Sequence, residues 1–540
     1  MDAERDQPWT VWRRRLCLLA IPILALALAR IFQAAKGPFW LGSNLDPDYA
    51  YLLNGLALAE GQPPGHVDHP GTPVQSLCAV VIRTVASFSG HSDATARRLD
   101  VLARPEYYLA GCALLFQLVY ALLMAIFGAI ALRQTQSLLI ACIGQGSFLL
   151  ATQSILALNC VKPEPFLLVT GLLIAIAVQV YLGSAWQYKE LLAGLVWGAL
   201  IGVGCAAKIT FAPVALLPLI LLRGIVPRML FLTVCAGGFY AATVPMHTRW
   251  DVMMNWFTAL ATHTGQYGNG AEGVIDVSAA VPALARLLAR ELPFTALLLA
   301  GIVLTVALFS SRERTPEQRT LLRALLALSV TDLFQLALVA KHPFGGERYL
   351  APAFSLLGLN VYIALRILRT LPAPRAAASR RAAAAILICA AAVQGWRLSA
   401  TASMLASDRN SRQGIASAAR DFSENNTVAG YYPSSSPLYA LQFGNRFASA
   451  LFSETLHAGY PHALFYNNWW RSFTNFRGMA SDTEIAERVR NGALLIQGAA
   501  LTADFRESPN SSARLLPDGV ELEPVVTTPV ECIYRMKNWP

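Results

Sequence analysis

Apolar residues in this chain come in unbroken runs of roughly 18 to 24 positions, the length that carries a helix across a bilayer core of about 30 Å at about 1.5 Å per residue. Open strands are excluded in such runs, because in hydrocarbon every backbone N–H and C=O must find its partner within the segment. The pattern predicts about eleven spans, over residues 16–33, 107–132, 137–158, 165–182, 191–207, 209–222, 229–245, 293–310, 321–340, 349–368 and 382–396. The first follows Arg13-Arg14-Arg15. It reads as a retained helix, since no small-residue cleavage site follows it and apolar runs continue downstream.

Between the runs the pattern changes character. Three stretches are too long to be connectors: 36–104, 247–292 and everything after 397. The last alternates short apolar strands, at 428–431, 493–497, 525–526 and 532–534, with helical stretches such as 482–490. A small α/β domain is expected there. The fold class is therefore a polytopic α-helical membrane protein with a small C-terminal α/β domain. Residues 1–397 form the membrane part, with outer loops 36–104 and 247–292, and 398–540 form the water-soluble part.

Charge sets the orientation. With the N-terminus inside, the inner loops hold Arg133, Lys189, Arg223 and Arg228, then Arg312, Arg314 and Arg319, then Arg369, Arg375, Arg380 and Arg381. The opposite loops are long and mixed in sign, as the positive-inside rule expects. An odd number of crossings leaves the C-terminal domain outside. Composition agrees: 55% of the 540 residues are hydrophobic and 14% charged, against about a quarter charged in soluble domains. The net charge of +10 is spread over short loops, which argues against a nucleic-acid partner. Of the nine cysteines only Cys532 falls in the exported domain, so no internal disulfide framework is expected, and no Cys/His metal spacing appears. The Arg-rich, Lys-poor bias fits a GC-rich bacterium, which places the chain in the inner membrane with the C-terminal domain in the periplasm.

The candidate chemistry lies in the first outer loop. Asp46 and Asp48 open a stretch whose Tyr51, Leu52, Leu56 and Leu58 suit an amphipathic helix lying at the membrane surface. An acid at a helix start is explained by capping and the dipole. Capping does not account for a second acid, or for His66, Asp68 and His69 close behind. Five titratable groups near one membrane surface point to a site.

The succession Asp48-Tyr49-Ala50-Tyr51-Leu52, Glu60-Gly61 and His69-Pro70-Gly71 resembles the GT-C superfamily, the glycosyltransferases that use polyprenyl-phosphate-linked sugars. Protein O-mannosyltransferases and aminoarabinose transferases are among them. The family pattern has an Asp-Glu-x-Tyr-Tyr-like stretch and then His-Pro-Pro, so Tyr49 stands in place of the second acid and Gly71 in place of the second proline. Asp46 is a candidate for the missing carboxylate. Further elements resemble the family in order: Lys162-Pro163-Glu164 before a helix, a glycine-rich helix ending at Ala207-Lys208, and Gly346-Glu347-Arg348-Tyr349-Leu350-Ala351-Pro352.

The resemblance implies transfer of a sugar from a polyprenyl-phosphate donor to a lipid, glycan or protein acceptor at the outer membrane face, with inversion at the anomeric carbon. That reaction needs a base for the acceptor hydroxyl, for which Asp48 and Asp46 are the candidates. It also needs cations where the phosphate leaves, for which Arg348, Lys341, Lys208 and Lys162 are the candidates. Some members use a divalent metal ion and others none; Asp48, His69 and Glu164 are the residues to which such an ion is assigned here, with His66 and Asp68 as neighbours. In the C-terminal domain Tyr431, Tyr432, Phe465, Tyr466, Trp469, Trp470, Phe473 and Phe476 stand among Asn467, Asn468, Arg471 and Asn475, which suits either sugar contact or a core with an aromatic belt. Two rival classes remain. A lipid-linked-sugar transporter or flippase would work through mid-span polar residues, here Asp332 and Gln335. A surface-polysaccharide polymerase or ligase would concentrate its chemistry in a late outer loop.

The alternation of loop charges has a direct test. A membrane-impermeant thiol reagent should reach a cysteine placed at Ser379 and one in the C-terminal domain, where Cys532 lies, from opposite sides of the membrane. Labelling of both from one side would overturn the odd number of crossings.

Overall fold

The long apolar runs do become helices. In a computed structural model, residues 8–42, 48–90, 93–309, 314–371, 373–467, 472–499 and 520–539 are described. Among them, eight helices are long and apolar enough to cross a membrane: Leu16–Lys36, Pro105–Thr135, Pro163–Gly183, Lys189–Ala207, Ile225–Thr262, Leu292–Phe309, Pro316–Lys341 and Ala377–Ser423. A ninth is a bent pair, Gly346–Phe354 and Leu357–Arg369, with 45° between its halves. The two remaining expected spans are helical but interrupted. Residues 137–158 split into Leu138–Ser147 and Thr152–Ala157, and 209–222 into a 3-10 turn Ile209–Ala215 followed by Leu216–Leu221. Pro213 and Pro218 account for the second break, since each removes an N–H donor and crowds the preceding turn.

The chain divides into two units. One comprises residues 1–31, 67–74 and 113–400. Its tightest packing is between Lys189–Ala207 and Ile225–Thr243, and the sequence shows why. Gly194, Gly198 and Gly202 recur every fourth residue, so they line one face. A Cβ built on Gly202 would lie 2.3 Å from the Cys235 carbonyl oxygen, and on Gly198 2.8 Å from that of Phe231. Small residues let two backbones approach where lipid supplies no hydrophobic drive between helices. The Pro316–Lys341 helix starts on a full capping box: Thr315 Oγ1 accepts the Gln318 amide while the Gln318 side chain accepts the Thr315 amide.

The other unit comprises residues 32–66, 75–112 and 401–540. At its centre is a six-stranded sheet of β1 (Thr427–Gly430), β2 (Phe465–Asn467), β3 (Ser472–Thr474), β4 (Leu494–Ala499), β5 (Leu522–Thr527) and β6 (Glu531–Met536), in the order β3-β2-β1-β4-β6-β5. β1 runs parallel to β2 and β4, and the outer pairings are antiparallel. One face buries Leu494, Ile496, Tyr466, Phe473 and Tyr534 with Ile485 and Val489 of the Asp482–Arg490 helix. Phe465, Tyr466, Phe473 and Phe476 are thus core residues; Asn468, Trp469, Trp470 and Arg471 lie outside the described residues. Cys532 is also buried, so the outer thiol label of the topology test belongs at an exposed position such as Met479.

Two expectations change here. The Tyr49–Ala59 helix does not lie amphipathically at a surface: every residue from Tyr49 to Ala57 is buried. Ala50, Leu53 and Ala57 extend the apolar stripe around the cylinder, and a helix apolar all round belongs in an interior. Gly55 abuts Cys78 of the Thr72–Phe88 helix, and Gly444 of the Pro437–Phe447 helix abuts the Tyr49 backbone. The second change concerns residue 398, where no linker falls. One helix, Ala373–Ser423, runs through it without a break.

That helix carries Arg412, whose Nη1 stands 3.5 Å from Oε2 of the fully buried Glu531 on β6. Glu531 also accepts the Ser435 amide and, at 3.3 Å, the Gln497 side chain. Burial pushes its carboxyl up, an effect that the Ser435 hydrogen bond and Arg412 oppose. Removing one member of a buried pair strands the other charge, at a cost of about 3–5 kcal/mol. Arg412→Met should therefore lower the thermal midpoint of the full-length protein. Because the folded-state pKa is raised, Glu531 holds its proton more readily in the fold, so the loss should shrink in mildly acidic buffer and grow as pH rises. Thermal unfolding followed by Cys532 thiol labelling at several pH values reads both effects; a pH-independent loss would show that Glu531 is not the stranded group.

Candidate active site

Asp48 is fully buried and immediately precedes the Tyr49–Ala59 helix. Its own backbone is already helical, φ −58° and ψ −18°, and its side chain makes no capping hydrogen bond. Capping therefore does not explain it. Its carboxylate instead faces Lys36, with Nζ 3.9 Å from Oδ2. Lys36 ends the first span, so the two termini of one connecting segment bring base and cation together.

Behind them stands Glu106, which the sequence did not single out. Its Oε2 accepts the Phe39 amide at 2.9 Å, and its Oε1 accepts the Trp40 amide at 3.1 Å and the Tyr49 hydroxyl at 3.0 Å. Burial first, and then the Glu106 carboxylate, raises the Tyr49 hydroxyl far above its ordinary value, so it stays a donor throughout the physiological range. Pro105-Glu106 was legible only as an ordinary helix start. Lys36 had a stronger signal: it is one of six lysines in the chain, at the outer end of a span. Asp46 lies outside the described residues.

His66 is held in place by its backbone. Asn54, fully buried, accepts the Gly65 amide at 2.6 Å and the His66 amide at 3.1 Å, while Gln75 donates to the His66 carbonyl at 2.7 Å. Its ring packs between Tyr51 and Phe447, at centroid distances of 5.2 and 4.8 Å.

In the other unit, three cations surround one acid. Glu164 opens the Pro163–Gly183 helix and is 4% exposed. Lys208, the residue at which the glycine-rich helix stops, reaches its Oε1 at 2.6 Å. Lys162 and Arg348 act on the same carboxylate electrostatically. Lys208 also stands 5.1 Å from the Tyr349 ring centroid, a cation–π distance. The irregular backbone that presents these residues is pinned by Gln335, whose amide nitrogen donates to the carbonyls of Thr210 at 2.9 Å and Tyr349 at 2.6 Å. Asp332, one turn earlier, accepts from Asn360 at 3.2 Å.

Lys341 goes elsewhere. Its ammonium donates to the carbonyls of His263, at 3.0 Å, and Gly273, at 2.8 Å, and so fastens the second outer loop. Asp68 and His69 engage one another, Oδ1 to Nδ1 at 2.9 Å. Gly71, where the family pattern has proline, adopts φ +75°, which the fixed ring of proline cannot reach. For a divalent metal the fit is poor at both acids, since Asp48 faces an ammonium and Glu164 is paired to one. Neither is an open anionic donor.

No family model and no curated protein matches the chain. Among solved structures, that of ArnT from Cupriavidus metallidurans bound to undecaprenyl phosphate superposes with a TM-score of 0.50 at 12% identity, covering 95% of this chain and 97% of that one. The likeness runs from end to end. It shows the fold, a GT-C-type membrane domain with a C-terminal sheet domain.

Proposed function

We propose that this protein is a membrane glycosyltransferase that moves a sugar from a polyprenyl-phosphate donor to a lipid, glycan or protein acceptor at the outer face of the bacterial inner membrane. The observation that carries the reading is the set around Glu164. Lys162, Lys208 and Arg348 come from three separate helix ends to one small, largely buried region. Cations gathered in a low-dielectric place suit an anion that develops charge there, and a departing lipid phosphate is such an anion. The fold supports the same donor class, since the ArnT structure it resembles is described as bound to undecaprenyl phosphate.

In this reading the acceptor hydroxyl attacks the anomeric carbon as the bond from that carbon to the phosphate oxygen breaks, with inversion. Asp48 takes the hydroxyl proton. The phosphate leaves with the bonding electron pair and needs no separate acid. Arg348 offers its planar fork to two phosphate oxygens, Lys208 and Lys162 supply point charge, and Glu164 orients Lys208. Lys36 keeps Asp48 ionised between turnovers. No step is assigned to a metal.

Two substitutions test this. Asp48→Asn should abolish transfer while leaving the thermal midpoint in place, because no capping bond is lost. If Asp46→Asn is inactive and Asp48→Asn is not, the base is Asp46; activity in both would end the enzyme reading. Arg348→Lys keeps the charge and loses the fork. It should cut turnover of a synthetic polyprenyl-phosphate sugar in nanodiscs at least tenfold, or about 1.4 kcal/mol of transition-state stabilisation. Arg348→Ala should be slower still, and a soluble sugar nucleotide should serve neither form. Unchanged kinetics in Arg348→Lys would return Arg348 to a lipid-anchoring role.

A further inference from the structure

Glu106 sits in the first turn of Pro105–Thr135, where an acid is ordinarily explained by the helix dipole. Its two oxygens, however, accept from a different segment. The three donors, Phe39 N, Trp40 N and Tyr49 Oη, lie at the two ends of the stretch joining the first span to the Tyr49–Ala59 helix. One carboxylate thus ties the start of that stretch to its finish. The functional pair flanks these anchors: Lys36 lies just before Phe39, with its ammonium 5.4 Å from the Phe39 ring centroid, and Asp48 is the neighbour of Tyr49.

We propose that Glu106 is a positioning residue for the base, fixing Asp48 against Lys36 and, as a second carboxylate near Asp48, setting the pH at which Asp48 takes up a proton. The inference rests on the reading of Asp48 as the base. An ionised carboxylate is an acceptor only, with room for about four hydrogen bonds, so it meets three donors without conflict. A glutamine of the same shape would turn an NH2 group toward one of them.

The charged and titratable groups acting around Asp48 are Lys36 from the first span, its helix neighbour Tyr49, Cys78 from the Thr72–Phe88 helix, and Glu106. Tyr49 and Cys78 are both held in their neutral forms, Tyr49 mainly by burial and Cys78 mainly by its contact with Cys112. The balance at Asp48 is therefore between one cation, which favours its ionised form, and one anion, which favours its protonated form.

The experiment uses the full-length protein in nanodiscs with Glu106→Gln and Glu106→Asp. Carbodiimides modify protonated carboxyl groups, so the pH dependence of Asp48 labelling, read by peptide mass spectrometry, follows its titration without any turnover. In Glu106→Gln the labelling midpoint should fall by about half a pH unit or more. The acid limb of kcat/KM for a polyprenyl-phosphate sugar should move the same way, and kcat should drop about tenfold with donor KM little changed. Glu106→Asp keeps the charge but shortens the reach: the midpoint should stay near wild type while kcat falls. If the glutamine variant does not accumulate, Glu106→Asp decides, and a wild-type kcat there overturns the proposal. An unmoved midpoint in Glu106→Gln overturns it too, even with transfer intact. A shifted midpoint in a protein whose wild type transfers nothing would instead sink the transferase reading and leave the positioning role standing.

Discussion

A charge taken out of water has to be answered by another charge, and this molecule is organised around places where that happens. Lys208 meets Glu164 at 2.6 Å, and Arg397 meets Glu291 at 2.7 Å in the same unit. Burial pushes the Glu291 carboxyl up, and the Arg397 hydrogen bonds hold that tendency in check. In the other unit Arg412 answers Glu531, and Lys36 answers Asp48. Each pair joins residues far apart in sequence or at opposite ends of one segment, so each also decides where backbone can go. In a protein with little polar surface inside, such pairs fix irregular stretches that hydrophobic burial alone would leave undirected, because burial has no preferred orientation.

The parts of the fold legible in the sequence were those governed by one-dimensional patterns. Runs of apolar residues located the helices, and short alternating runs located β1, β4, β5, β6 and the Asp482–Arg490 helix. What stayed hidden depended on three-dimensional partners. The buried Tyr49–Ala59 helix was read as a surface helix because its apolar excess was credited to one face, and its packing against Gly55 and Gly444 is invisible in a local window. β2 and β3 are three residues each, too short for any periodicity to show.

The candidate site divides in the same way. Residues that carry unusual chemistry for their surroundings stood out: Asp48 before an apolar helix, and rare lysines at the outer ends of spans. Their roles did not. Lys208 was indistinguishable from a turn residue until Glu164 was placed beside it, and Lys341 looked like a phosphate ligand until the His263 and Gly273 carbonyls claimed it. Glu106 is the clearest case. It is 57 residues from Tyr49 in sequence, and only the folded chain puts its carboxylate behind that hydroxyl.

Gln335 has a consequence for how such a protein is made. Its amide is the donor that the broken backbone around Thr210 and Tyr349 needs, yet it sits in the Pro316–Lys341 span. A helix entering the bilayer alone gains nothing from glutamine there; polar side chains near mid-membrane oppose insertion. The benefit appears only afterwards, when neighbouring segments arrive with carbonyls that lipid cannot satisfy. Biogenesis and folding therefore pull this position in opposite directions. The remaining apolar residues of that helix must be greasy enough to carry a group whose value is realised one assembly stage later.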